Sequence, residues 1–327
     1  MNNFMFCSCG RRAQLLKFLK RSVGESHKII ATDMNSTAPA LYMADKRYVV
    51  PSICSPNYLE TILNIAIKND VRSITTLIDP EIEVLSRNRS LFERKEIIVL
   101  APSVETASLC FDKYEMFKFL KSKNIRTVLT YSSLSDFKKG LHDKEIDFPV
   151  FLKPRTGSGS VGICKCETLY EVESIIAENK HNYIIQEFMK GGDCDADVYV
   201  DCFSHKPVAV FSKRKFETKI GGASKTISFK DNKLFEFVEY ICKVFEFNGP
   251  VDMDFWYKEG EYFLSEINPR FGGAYLHAYG AGVDFFKLIN NNMNGITNQN
   301  IIGNYKNDII MMMYDNVVIM DKKDLAQ

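Results

Sequence analysis

Short apolar runs alternate with amphipathic stretches through the first hundred residues, and this alternation limits the possible folds more than any other feature of the chain. The apolar runs have strand character at 4–9, 28–32, 73–78 and 96–100, and the stretches between them have helical periodicity at 11–21, 58–69 and 81–88. Strands that alternate with helices are typical of a parallel sheet whose helices make the crossovers. We therefore expect a parallel α/β domain over residues 1–111.

This N-terminal domain is Rossmann-like, but its first turn does not carry a dinucleotide-binding motif. The turn Cys9-Gly10-Arg11-Arg12 has a single glycine, whereas the dinucleotide fingerprint has three. Three acids follow predicted strands, at the edge where open α/β sheets place ligands. They are Asp33, Asp79 and Glu81. We expect them to line a cleft, with turn or helix-cap roles as the alternative.

The pattern changes at Asp112, and the rest of the chain predicts two further lobes. Residues 112–185 still alternate helix and strand and form a predicted small lobe, which includes the apolar run Phe148–Leu152. Residues 186–327 contain longer strands that read as an antiparallel sheet, with a helix at 233–245. The tail from Asn291 is rich in asparagine and is expected to be a loop, and a last strand at 309–320 is expected to dock on either lobe.

A glycine-rich loop follows the apolar run of the small lobe. Lys153 stands at the end of the run, and a flexible segment with small side chains follows it: Gly157, Ser158, Gly159, Ser160 and Val161. Such a loop can lay backbone N–H groups against phosphate oxygens. Lys113, at the start of a predicted helix, can reach the same phosphates from the opposite wall. These residues predict a binding site for a nucleotide triphosphate.

The strand at 183–189 is expected to hold the base of that nucleotide. Its last residues combine polar groups with large apolar side chains: Gln186, Glu187, Phe188 and Met189. Backbone groups at such an edge can pair with adenine while apolar side chains cover the ring. Asp193 is expected to accept from ribose hydroxyls. A solvated surface acid is the alternative for Glu187.

Two late strands carry oxygen ligands on one face each. The period of two places Glu266 and Asn268 on the same face, and it does the same for Asp252 and Asp254. Carboxylate and amide oxygens suit Mg²⁺ or Mn²⁺. We expect a metal site among these oxygens, to which both Asp252 and Asp254 are available. Arg270, just beyond the strand, is expected to reach a transferring phosphoryl group.

Nearly the whole chain resembles the ATP-grasp superfamily, in particular the single-lobe relatives of the carbamoyl-phosphate synthase large subunit and of the pyrrolysine-biosynthesis ligase. The resemblance rests on the motifs Asp112-Lys113, Lys153 with its loop, Gln186-Glu187-Phe188 and Glu266-Ile-Asn-Pro-Arg270. It implies an ATP-grasp fold with an N-terminal pre-ATP-grasp domain and ATP as the nucleotide. It also implies Mg²⁺ or Mn²⁺ held by Asp254, Glu266 and Asn268, and Lys153 and Arg270 as catalytic residues. The implied activity is a carboxylate–amine ligase that forms an acyl phosphate and releases ADP and phosphate.

Two positions depart from the pattern of that family. Asp254 is shorter by one methylene than the glutamate that relatives often carry, which is expected to displace the metal slightly. Asp193 stands where relatives usually carry the ribose-binding glutamate, and its side chain is shorter by one methylene. A kinase that releases its acyl phosphate and a regulatory module that binds ATP without turnover are the alternatives to a ligase.

The substrates are the least defined part of the prediction. Basic side chains available to a carboxylate are Arg214, Lys215, Lys225 and Arg270, and acids available to an ammonium group are Asp33, Asp79 and Glu81. We expect small, amino-acid-like carboxylate and amine substrates and a homodimer. A net charge of +1 in 327 residues gives no indication of a nucleic-acid partner. Nine cysteines and the lack of a 20-residue apolar run favour a cytoplasmic protein without a membrane partner.

Overall fold

The computed structural model describes residues 2–24, 27–157, 162–178, 182–219 and 222–326. In these ranges the strands, numbered in chain order, are β1 Asn3–Cys7, β2 Ile29–Asp33, β3 Lys46–Val49, β4 Val71–Thr76, β5 Ile98–Val99, β6 Thr130–Tyr131, β7 Val150–Pro154, β8 Cys164–Cys166, β9 Tyr183–Glu187, β10 Gly192–Val200, β11 Pro207–Lys219, β12 Gly222–Phe229, β13 Gly249–Lys258, β14 Glu261–Asn268 and β15 Ile310–Met312. The helices are α1 Ala13–Val23, α2 Tyr58–Lys68, α3 Asp79–Arg87, α4 Arg89–Glu93, α5 Val104–Phe111, α6 Lys113–Ser122, α7 Leu134–His142, α8 Leu169–Glu178, α9 Asn232–Val244, α10 Leu276–Ala281 and α11 Phe285–Met293. Among the described residues, none of these helices has the length and apolar character needed to cross a bilayer.

The N-terminal domain is a five-stranded parallel sheet in the order β3-β2-β1-β4-β5. Every residue of β1 and β2 is buried, as expected for central strands that are covered on both faces. This confirms the α/β prediction. The pattern did not reveal β3, because this edge strand reads Lys-Arg-Tyr-Val and its first two residues are exposed.

The middle of the chain forms a four-stranded antiparallel sheet in the order β6-β9-β7-β8. Its own small core contains Phe137, Leu152 and Ile185. The predicted lobe boundary at 185 falls inside β9, which pairs with β7 through Glu187. The strand predicted at 125–130 is limited to Thr130–Tyr131.

The third sheet is antiparallel and has six strands in the order β14-β13-β10-β11-β12-β15. One face packs against α9 and α11 and contributes residues such as Val198, Met253 and Ile267 to the largest core. The opposite face carries charged side chains and is turned toward the other two sheets. The sequence did not predict β12, whose run Gly-Ala-Ser-Lys-Thr-Ile-Ser-Phe mixes small and polar residues.

The segment after Asn291 is more ordered than its composition suggests, and the expectation of a loop beginning there is wrong. Helix α11 extends to Met293. Asp201, fully buried, then anchors the chain: its Oδ2 accepts from Asn292 Nδ2 (2.7 Å) and from the backbone N and Nδ2 of Asn298 (2.9 Å each). The last predicted strand is limited to β15, which pairs with β12 and forms the edge of the sheet.

We predict that Asp201→Ala destabilises the fold by roughly 3 kcal/mol, because it leaves several buried donors without an acceptor. Asp201 Oδ1 also accepts from the backbone N of Ser204 (2.9 Å). The substitution therefore removes the acceptor of this N–H as well as the acceptor of the two asparagines. Urea unfolding followed by far-UV circular dichroism measures the change. Asp315→Ala, which removes an exposed aspartate, is the matched control. An unchanged unfolding midpoint in Asp201→Ala would contradict this role.

Candidate active site

Charged side chains from four neighbouring strands share the face of the six-stranded sheet that is turned toward the other lobes. Strand register brings them opposite one another: Asp195 on β10 pairs with Lys213 on β11 and with Asp254 on β13, and Asp254 pairs with Glu266 on β14. Because side chains alternate between faces, the set on this face is Asp193, Asp195, Asp197, Lys213, Lys215, Asp252, Asp254, Glu266 and Asn268. A shift in register after Asp254 bends the β13–β14 pair at the same place.

Lys113 approaches this face from the small lobe. Its Nζ lies 3.9 Å from Glu266 Oε1 and donates to the carbonyl oxygen of Gly157 (2.6 Å). Asp112 caps helix α6 by accepting from the backbone N of Tyr114 and of Glu115 (3.0 Å each), and it also pairs with Arg155. The start of α6 and the end of β7 are therefore tied together, which fixes the direction of Lys113.

Lys153, at the end of β7, is the second cation opposite the sheet. Its Nζ donates to Gln186 Oε1 (2.6 Å) on the neighbouring strand β9. Burial lowers the pKa of Lys153, and Lys113 adds to this effect, while Glu266 and Asp254 oppose it. Ser158, Gly159, Ser160 and Val161 of the predicted phosphate loop lie outside the described residues.

The predicted adenine strip follows β9 directly. Gln186 is buried between Lys153 and Thr130. Glu187 Oε1 lies 3.4 Å from Lys258 Nζ, and the Phe188 ring packs against Phe151 with a centroid distance of 5.2 Å. Met189 is buried. The strip thus presents apolar side chains next to a strand end.

Arg270 is held by the N-terminal domain. Its Nε lies 2.8 Å from Asp79 Oδ1, and its Nη2 lies 3.2 Å from Asp79 Oδ2 and 3.3 Å from Asn268 Oδ1. Burial disfavours the charged guanidinium, but Asp79 and Asp252 outweigh it and raise the pKa of Arg270. Asp79 is therefore occupied by Arg270 and is not free for a substrate ammonium group in this arrangement.

Arg12 is a site residue that sequence reasoning missed. Its Nη2 donates to the carbonyl oxygen of Gly272 (2.6 Å), in the turn after Arg270. Burial and the neighbouring Arg270 lower the pKa of Arg12 to about 10, so it stays charged at neutral pH. Gly272 has no room for a side chain, because a Cβ there would lie 2.6 Å from Asp197 Oδ1 and from Asp252 Oδ1. The signal for Arg12 in the sequence was its position in the turn after the first strand, two residues after Gly10.

The predicted metal ligands provide a suitable set of oxygen donors, and one of them, Asp254, also pairs with a lysine. Glu266 and Asn268 offer a carboxylate and an amide oxygen on the same face of β14, and Asp254 stands opposite Glu266. These hard oxygens suit Mg²⁺ or Mn²⁺. Asp254 Oδ1 also lies 2.5 Å from Lys215 Nζ. Burial raises the pKa of Glu266, and Asp254 adds to this effect, while Lys113 and Lys153 oppose it.

Several predicted substrate contacts lie elsewhere, and these are corrections. Arg214 is exposed on the opposite face of β11, with its guanidinium 4.5 Å from the centre of the Phe229 ring. Lys225 is exposed and pairs with Glu217 (2.7 Å). Lys215 is on the correct face but is surrounded by carboxylates.

Two of the predicted acids serve the N-terminal domain itself. Asp33 accepts from the backbone N of Gly10 (2.8 Å) and of Asn35 (2.9 Å), as a turn residue does. Glu81 is fully buried and bonds to the hydroxyls of Tyr58 and Thr76. Both carboxylates are thus engaged within the N-terminal domain.

A pocket lies where the N-terminal domain meets β14. Its polar lining comes from Asp79, Glu266 and Asn268, and its apolar lining includes Ile82, Phe111 and Pro269. It adjoins the contact between Arg270 and Asp79. The pocket thus lies between the predicted metal ligands of β14 and the N-terminal domain.

Lysines, an arginine and oxygen ligands meet between the three sheets, and this set of groups suits the class of proteins that bind a nucleotide triphosphate with its metal ion. Comparison with known families gives the same answer. The model of an ATP-grasp domain matches residues 110–274, just over half of the chain, and the model of a PylC-like N-terminal domain matches residues 4–100. The chain belongs to the ATP-grasp family.

Curated relatives match parts of the chain at moderate identity. D-alanine–D-alanine ligase B of Clostridium perfringens is 33% identical over 101 residues, which cover 29% of this chain and 32% of that protein. A D-alanine–D-alanine ligase of Pelagibacter ubique is 25% identical over 226 residues, which cover 62% of this chain and 73% of that protein. The chain thus spans about a third of the first relative and nearly three quarters of the second.

Solved structures show the same fold at lower identity. N5-carboxyaminoimidazole synthetase from Staphylococcus aureus in complex with ADP superposes with a TM-score of 0.72 at 16% identity, over 91% of this chain and 79% of that one. The biotin carboxylase domain dimer of Hydrogenobacter thermophilus 2-oxoglutarate carboxylase, with MgADP and bicarbonate, gives 0.70 at 19% identity, over 94% and 73%. This likeness confirms the predicted ATP-grasp architecture.

We predict that Lys153→Met weakens ATP binding by about 10- to 100-fold, since it removes a half-buried cation from the place where the phosphates are expected. Isothermal titration with a non-hydrolysable ATP analogue and Mg²⁺ measures the change. Lys121→Met, at an exposed position of α6, should bind as the unaltered protein does. Equal affinity in all three proteins would remove Lys153 from the nucleotide site.

Proposed function

We propose that the protein is an ATP-dependent carboxylate–amine ligase that forms an amide or peptide bond and releases ADP and phosphate. The observation that carries this proposal is the position of Lys113 and Lys153 opposite Glu266 and Asn268, with Arg270 at the end of the same strand. The names of the two D-alanine–D-alanine ligases support small, amino-acid-like substrates.

Each charged group has a role in the two chemical steps. A substrate carboxylate oxygen attacks the γ-phosphorus of ATP, the bond to the bridging oxygen of ADP breaks, and an acyl phosphate forms. An amine nitrogen then attacks the acyl carbon, loses a proton and expels phosphate. Lys113 and Lys153 hold the phosphate oxygens, and Arg270 stabilises the charge that develops on the transferring group. Bound Mg²⁺ or Mn²⁺, held by Glu266, Asn268 and one oxygen of Asp254, would supply further charge neutralisation.

Two broader expectations stay predictions. The dimeric biotin carboxylase domain among the structural neighbours supports testing this protein for a homodimer. A cytoplasmic location rests on the composition of the chain and is open to direct localisation.

We predict that ADP is released only when a carboxylate and an amine substrate are supplied together. The measurement is a coupled ADP assay with amino acids offered singly and in pairs. Release with single compounds would indicate a carboxylate kinase, and binding of ATP without release under any condition would indicate a regulatory module. Arg270→Ala, which removes the guanidinium, should abolish release in every case, with circular dichroism used to check that the variant is folded.

Asp79→Asn is predicted to lower the rate of ADP release by roughly 10- to 100-fold. The reason is that Asp79 orients the guanidinium of Arg270, which would otherwise be misplaced relative to the reacting phosphate. The KM for ATP should change little, since Asp79 does not face the lysines. Glu83→Gln removes a surface ion pair with Arg87 on the same helix and is the control. A large rise in the KM for the amine with an unchanged rate would instead make Asp79 a substrate ligand.

A further inference from the structure

Lys215 lies at the centre of three carboxylates. Its Nζ is 2.9 Å from Asp193 Oδ1, 2.5 Å from Asp195 Oδ1 and 2.5 Å from Asp254 Oδ1. Its side chain is only 11% exposed. The three acids bring oxygen atoms within 4.8 Å of one another, which is close enough for a single metal ion to bridge them. The ammonium group stands where such an ion would bind.

The strand register fixes this position. Asp195 pairs with Lys213 on one side and with Asp254 on the other. Lys215 is two residues beyond Lys213 and therefore points to the same face, while Arg214 points to the opposite one. Lys215 thus faces the end of β10 that carries Asp193, and its location follows from the sheet itself.

Lys213 lies between the next two acids on this face, Asp197 and Asp252. This fully buried lysine lies 2.5 Å from Asp197 Oδ2, and Asp252 Oδ1 is 4.0 Å away. Burial opposes the ammonium form, but Asp197 and Asp195 outweigh it and raise the pKa of Lys213. Together the two lysines place two positive charges among the five acids that β10 and β13 contribute to this face.

The contact distances around Lys215 Nζ, 2.5–2.9 Å, are nearer to those of an ammonium group than to those of a divalent metal ion. Charge-assisted N–H···O bonds span about 2.7–2.9 Å, whereas Mg²⁺ requires oxygens at about 2.0–2.1 Å in octahedral order. Lys215 Nζ donates a hydrogen bond to Asp254 Oδ1 and forms ion pairs with Asp193 and Asp195. A divalent ion could enter only if Lys215 left.

We propose that Lys215 is a built-in cation that fills the Asp193–Asp195–Asp254 cluster in place of a divalent metal ion. Metal binding on this face is then confined to the β14 side, at Glu266 and Asn268 with the second oxygen of Asp254. Asp193 belongs to this cluster and is not free to accept from ribose while Lys215 is in place. The proposal concerns metal binding without nucleotide and stands whether or not the chain is a ligase.

The test is a titration of the nucleotide-free protein with Mn²⁺, in which free Mn²⁺ is followed by electron paramagnetic resonance. Lys215→Ala and Lys215→Gln should each bind one more Mn²⁺ per chain than the unaltered protein. Adding Asp195→Asn to Lys215→Ala should remove the extra ion. Lys138→Ala breaks an exposed ion pair with Glu173 and is the matched control, with an unchanged count.

The melting temperature gives a second test beside the number of Mn²⁺ ions bound. Lys215→Ala leaves three carboxylates facing one another, so its melting temperature should fall in chelator and rise with Mn²⁺ by more than that of the unaltered protein. Folded Lys215 variants that bind no additional ion would overturn the proposal. A further measurement does not depend on these variants folding: Asp195→Asn alone should keep the Mn²⁺ count of the unaltered protein, and a loss there would show that a metal already uses the cluster.

The same experiment separates this proposal from the ligase proposal. The Mn²⁺ count reports on Lys215 even if no substrate pair releases ADP. Conversely, ADP release that requires two substrates would support the ligase proposal even if Lys215→Ala gained no Mn²⁺ site. The latter result would contradict only the proposal for Lys215.

Discussion

Carboxylates that are buried together on one sheet face repel one another and lose their hydration, so cations must lie among them for the sheet to fold. Six acids share such a face here, from Asp193 on β10 to Glu266 on β14. Lys213 and Lys215 supply part of the compensation from within the sheet. The remainder comes from groups on other lobes, and the need for this compensation brings the lobes together around the cleft.

The cleft is therefore a product of the assembled chain and not of a single lobe. Lys113 belongs to the helix that leads into the small lobe, and Lys153 to the small sheet. The N-terminal domain contributes Asp79, which orients Arg270, and Arg12, which holds the turn at Gly272. The Rossmann-like N-terminal domain thus acts as a support for the arginine of another lobe. The first turn of the N-terminal domain, which has a single glycine, carries Arg12 and so makes the contact with Gly272.

The sequence predicted what depends on local periodicity and left open what depends on register. Glu266 and Asn268 could be placed on one face because strand side chains alternate, and Lys153 because an apolar run ends there. Alternation also separates Arg214 from Lys215, but it does not say which of them faces the cleft. That choice is made by the pairing of β11 with β10, between residues far apart in the chain. The same limit applies to Asp33 and Glu81, which stand at strand ends as expected but are used by the backbone of Gly10 and the hydroxyl of Tyr58.

The order of the strands explains why the β14 side is the part of the face left for a ligand. Neighbouring strands are about 4.8 Å apart, so β13 lies roughly 10 Å from β11 and β14 roughly 14 Å. A lysine on β11 reaches across β10 to Asp254, as Lys215 does, but its stem is too short to reach β14. Glu266 must then find its cation outside the sheet, and Lys113 lies 3.9 Å away on the opposite wall. The acid that the sheet cannot neutralise by itself is thus the one that faces the space for a nucleotide and its metal.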